Sequence, residues 1–134
     1  MRAKPPFPTE YERLLALQPK RSLHRWERML LVALASAAKL PNALTKPDAL
    51  EAYKVRDMPD GGMGSIRFVH EADDRRADKF SVAEFLYNDA DGVQISFALN
   101  LDNFGEPWEI DAWKFDSSPL RRPPTSAADL RTPS

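Results

Sequence analysis

The stretch Val93-Gln94-Ile95-Ser96-Phe97-Ala98-Leu99-Asn100-Leu101-Asp102 alternates apolar and polar residues without a break. Successive side chains of a strand point to opposite faces. The spacing therefore predicts a half-buried antiparallel strand with Val93, Ile95, Phe97, Leu99 and Leu101 toward the core. Just upstream, Asn88-Asp89-Ala90-Asp91-Gly92 reads as a hairpin loop whose glycine can take a positive φ. It joins this ladder to a strand over 80–87. Downstream, Asp102 to Glu106, centred on Gly105, turns the chain into a last strand over 108–115. Farther back, Ile66 and Phe68 flank Arg67, and Tyr53, Val55 and Met58 lead into the turn Pro59-Asp60-Gly61-Gly62.

Ahead of these strands the apolar period is helical. Thr9 and Glu12 fit a capping box, and Tyr11, Leu14 and Leu15 fall at helical spacing, which predicts a short helix over 10–18 ended by Pro19. Ser22 reads as the N-cap of a second helix whose stripe is Leu23, Trp26, Leu30, Leu34 and Ala37. Thr45 to Pro47 opens a third, short one. Helices followed by a run of strands imply an α+β fold, with the N-terminal helices on one face of an antiparallel meander sheet of about five strands. The 134 residues fit one domain: an arm over 1–8, a helical part over 9–52, the sheet over 53–116 and an extended tail over 117–134.

Composition narrows the chemistry. The absence of cysteine excludes disulfides, thiolate metal sites and thiol nucleophiles. The longest apolar run, over 29–35, falls far short of the ~20 residues that cross a bilayer, so no membrane partner is expected. No signal peptide opens the sequence, and the cytoplasm is the expected location. The net charge of −1 conceals an asymmetry. Residues 1–56 carry eleven Lys/Arg against five Asp/Glu, whereas residues 57–116 carry five against fourteen. Such a split bears on partners more than on fold, although the two halves can also neutralise each other.

Gly61-Gly62-Met63-Gly64-Ser65 has the glycines of a phosphate loop but precedes a strand and lacks the lysine, so a tight or bulged hairpin is the expectation. His24 and His70 share no spacing, and His70 with Asp73 and Asp74 matches no recognised metal-ligand pattern. No metal and no cofactor are expected. The basic residues of the first half are interleaved with the helix stripes rather than gathered in a run, which argues against nucleic acid. The acids Asp102, Glu106, Glu109, Asp111 and Asp116 remain. Period two puts Glu109, Asp111, Trp113 and Phe115 on one face of the last strand, and Asp102 on the polar face of its neighbour. Acids bordered by exposed aromatics suit a protein-binding patch, with charge steering and an aromatic anchor. Two alternatives stay open: Trp113 and Phe115 face the core instead, or paired carboxylates serve general acid–base hydrolysis in a cleft.

Two segments carry a resemblance: Gly61-Gly62-Met63-Gly64-Ser65-Ile66-Arg67-Phe68-Val69, and Leu99-Asn100-Leu101-Asp102 through Gly105-Glu106 to Glu109-Ile110-Asp111-Ala112-Trp113-Lys114. Together they resemble a family of small bacterial domains with a glycine turn and an acidic, Trp-containing final hairpin. Such domains are similar in character to immunity proteins of polymorphic or contact-dependent toxin systems. The resemblance implies a non-enzymatic protein that neutralises a cognate toxin domain with a basic surface. The partner-binding candidates are then Asp102, Glu106, Glu109, Asp111 and Trp113. The rival expectation is a small hydrolase or ligand-binding domain using the carboxylates of the last hairpin, and a purely structural accessory subunit is a third.

Overall fold

The computed structural model describes residues 9–41, 47–71 and 74–133. Helix α1 (Glu10–Leu17) comes first, then strand β1 (Arg21–Ser22) and helix α2 (Arg25–Ala37). After a 3-10 helix (Pro47–Ala52) come β2 (Lys54–Asp57), β3 (Ile66–Phe68), β4 (Ala77–Asn88), β5 (Gln94–Asp102) and β6 (Pro107–Lys114). The expectations for the arm 1–8, the opening at Thr45 and Asp73 lie outside the described residues.

The fold is α+β, built on one antiparallel sheet in the order β1-β2-β3-β6-β5-β4. The ladder seen in the sequence is β5, and Ile95, Phe97 and Leu99 are fully buried. Two features differ from a five-stranded meander. The sixth strand, β1, takes Ser22 into pairing with Lys54, so His24 becomes the N-cap of α2. The buried Glu27 explains this. Its carboxylate accepts the His24 N–H at 2.7 Å and is gripped by both terminal nitrogens of Arg21, at 2.7 and 2.8 Å. The second feature is topological: β3 pairs with β6, not with β4. Strand β6 thereby sits in the interior of the sheet, and β4, with its charged residues and register shifts, takes the edge, where such features are tolerated.

Helix α2 covers the apolar face. Leu30, Leu31, Leu34 and Ala35 are buried, and Trp26 meets the Phe97 ring at 6.1 Å between centroids. It ends where Lys39 takes φ 56° and the Leu40 N–H reaches the Ala35 carbonyl, a left-handed C-terminal cap followed by Pro41. Helix α1 begins as expected, with Thr9 Oγ1 accepting the Glu12 N–H. It is anchored on the opposite face of the sheet: Arg56 donates to the carbonyls of Ala16 and Gln18, and Arg67 reaches Glu12. Only Leu15 of its apolar residues is buried, too little to compete with α2 for the core face.

The glycine turn serves the core and the tail. Asp60 accepts the N–H groups of Met63 and Ser65, closing the β2–β3 hairpin. Gly64, at φ 111°, lies where a Cβ would stand 3.4 Å from Leu120 and 3.6 Å from Trp26. The Leu120 N–H bonds the Gly62 carbonyl, so the turn is a seat for the C-terminal segment. That segment continues along Asp89 and Tyr87 and ends in a two-bond bridge between Arg131 and Leu86.

Phe97 is the centre of this packing, between Trp26 and Tyr87. Phe97→Ala is expected to lower the unfolding free energy by about 3–5 kcal/mol, measured by urea titration, as for other buried phenylalanines.

Candidate functional site

The phase of β6 decides what the exposed sheet face displays. Its inward residues are Ile110, Ala112 and Lys114, and its outward residues are Glu109, Asp111 and Trp113. A lysine among the inward residues needs partners. The Lys114 ammonium donates to Asp89 at 2.8 Å, to Asp91 at 2.6 Å and to the Pro119 carbonyl at 3.0 Å, so all three of its protons are used. Asp89 in turn accepts the backbone N–H groups of Ala90, Arg121 and Arg122. Burial pushes the Asp89 carboxyl up, but Lys114 and these three amides outweigh it and hold its pKa down at about 2.

The outward side of β6 leaves Trp113 45% and Phe115 56% exposed. Register places Asp111 opposite Ala98, which faces Glu84, and Trp113 opposite Ser96, which faces Leu86. A row carrying two carboxylates thus runs beside a row carrying an indole and a leucine. This settles the orientation that the strand's alternation left open.

The five sequence candidates part company here. Asp111 and Trp113 lie together on the exposed face. Glu109 is half-buried and occupied, accepting from Arg67 and from Asn100. Glu106 is half-buried beside the Tyr53 hydroxyl, which donates to it at 3.3 Å. Asp102 is a correction: it is 1% exposed rather than part of a solvent face. The β5–β6 turn and the segment carrying Arg75 close over it. On β6 the pairing slips, Asn100 with Glu109 but Leu101 with Pro107, so Trp108 is an extra, bulged residue. The Asp102 carboxylate accepts from Arg75 at 2.9 Å and from the N–H groups of Phe104 and Glu106. Burial alone would raise its pKa. The Glu106 amide, Arg75 and the Phe104 amide together lower it. Asp102 organises the β5–β6 turn.

The same bulge turns Trp108 onto the face that α1 covers. The Arg67 guanidinium lies 4.8 Å over its ring, and the His70 ring stacks on it at 6.5 Å. Between this pair and α1 is a cleft of about 250 Å³, with Glu12, Leu15, Arg56, Arg67, His70 and Arg75 among its walls. These residues come from four separate stretches of chain, and no local pattern announced them. No group of His, Cys, Asp and Glu suited to holding a metal ion occurs among the described residues. None of their helices is long and apolar enough to cross a membrane.

A family model described as a domain of unknown function, DUF6984, matches residues 20–124. The match takes in α2 and all six strands and leaves α1 and the Arg131 bridge outside it. No curated protein and no solved structure matches the chain.

The Asp89 clamp has a pH signature. With the folded pKa near 2 and the unfolded one at about 3.9, its contribution is complete above the unfolded value and is lost as pH falls through the folded one. Thermal melts of the wild type and Asp89→Asn are expected to differ most near neutral pH and to converge between about pH 4 and 2.

Proposed function

The chain belongs to the DUF6984 family, and we propose that it is a bacterial immunity-type protein that neutralises a cognate toxin domain by direct contact. The observation that carries this reading is the exposed pair Trp113 and Phe115 on an open sheet face, bordered by Asp111 and Glu84. An exposed indole beside carboxylates has the composition of an interface anchor with a steering rim. The acidic sheet half, with fourteen Asp/Glu against five Lys/Arg over 57–116, suits a toxin surface rich in Lys and Arg. Trp113 supplies buried area in the complex, and Asp111 attracts and orients the partner. Glu106 and Glu109 contribute field from the margin of the patch. Asp102 acts through the fold of the turn rather than by touching the partner. Such a protein works in the cytoplasm, where the toxin acts.

The test is co-purification of the protein with the product of the neighbouring gene, and growth of bacteria expressing that product with and without the protein. Wild type is expected to restore growth. Trp113→Ala is expected to raise Kd about thirty-fold, the loss of roughly 2 kcal/mol typical of a central anchor, chiefly through faster dissociation. Asp111→Lys is expected to slow association, by a factor that shrinks as salt is added. Failure to protect, or unchanged affinity in both variants with the fold intact, would contradict the proposal.

A further inference from the structure

The cleft between α1 and the sheet has a composition unlike the partner face. Three guanidinium groups, from Arg56, Arg67 and Arg75, line it together with His70. Each is held from behind, and among the described residues each has donors with no hydrogen-bond partner. Arg56 gives only Nη1, to the Ala16 and Gln18 carbonyls. Arg67 gives Nε and Nη2 to Glu109, while its Nη1 stands 3.7 Å from Glu12, beyond a hydrogen bond. Arg75 gives Nη1 to Asp102, which leaves its Nη2 without a hydrogen bond among the described residues, while its Nε is sealed from solvent.

A carboxylate that fixes one edge of a guanidinium while the other edge stays free is the geometry of preorganised oxyanion recognition. Holding α1 requires only the Arg56 and Glu12 contacts. It does not account for the gathering of Arg75 beside them, nor for the stacking of Arg67 on Trp108. Leu15, Val69 and Trp108 form an apolar wall beside the arginines, and about 250 Å³ exceeds what a bare tetrahedral oxyanion fills. We propose that this cleft binds a phosphate group, held by Arg56, Arg67 and Arg75, with room for a small apolar substituent against Leu15, Val69 and Trp108.

Among the described residues Glu12 is the one acid in the cleft wall; its side chain is 36% exposed and only loosely paired with Arg67. An incoming phosphate oxygen replaces it at Arg67 Nη1. Removing its charge therefore strengthens binding, whereas an arginine that merely fastened α1 would show no such competition. This site is independent of the toxin-binding face, and either can fail without the other.

The experiment is calorimetric titration of the intact protein with inorganic phosphate and, in a second arm, phenyl phosphate, at ionic strength matched with chloride. Saturable binding at one site is expected, tighter for phenyl phosphate if the physiological ligand is a phosphomonoester and equal for both if it is free phosphate. Arg67→Lys keeps the charge but loses the fork, and is expected to weaken binding at least ten-fold, as is Arg56→Gln. Glu12→Gln is expected to tighten it several-fold. Thermal melts identify any variant that has lost its fold, and Arg67→Lys decides if Arg56→Gln does so. No saturable binding to the wild type, or wild-type affinity retained in the folded arginine variants, would overturn the proposal.

Discussion

The buried ammonium of Lys114 is the constraint from which the composition of the exposed sheet face follows. A charged amine in the interior is tolerated only with partners, and Asp89, Asp91 and the Pro119 carbonyl meet all three of its N–H bonds. That arrangement fixes the phase of β6. Because a strand alternates, placing Lys114 inward with Ile110 and Ala112 sends Trp113, Asp111 and Glu109 outward. The pair also reaches beyond the sheet. Asp89 holds the Arg121 and Arg122 amides, so the interaction that orients β6 also lays the C-terminal segment toward its bridge with Leu86.

A second constraint divides the outward face into two regions. The bulge at Trp108 shifts β6 by one residue and turns the indole toward Arg67 and His70. On one side of the shift the face carries exposed aromatics and acids. On the other, α1, the arginines and Trp108 enclose a cleft. Replacing Asp102 leaves Arg75 without its carboxylate and two turn amides without an acceptor, which disturbs both regions through the turn.

The β5 ladder was legible because ten residues alternate and one face is buried, which is the condition under which period two is unambiguous. The stripe of α2 was legible for the same reason at period 3.6. The phase of β6 was not, because Trp113 and Phe115 are as apolar as Trp108 and Ile110. The signal that discriminates them was present in Lys114, in phase with Ile110 and Ala112, but a lysine reads as outward until its carboxylate partners, Asp89 and Asp91 in the preceding hairpin loop, are known. Asp102 misled for a different reason: it keeps the polar phase of β5, with Leu101 in the core, but Arg75, His70 and the β5–β6 turn close over it. Strand β1 has two residues, too few for any period, and the pairing of β3 with β6 is a long-range choice that no local window contains. The cleft was invisible because its walls come together only through that pairing.

The inward phase of Lys114 is open to direct measurement. Brief acylation of the native protein with an amine-reactive ester, followed by mass-spectrometric mapping, compares it with the exposed Lys20 and Lys54. A side chain with no solvent exposure and three acceptors on its nitrogen is expected to stay unmodified until the protein is unfolded, while the two exposed lysines react. Modification of Lys114 in the folded protein at the rate of Lys54 would place it in solvent, reverse the phase of β6 and take Trp113 off the exposed face.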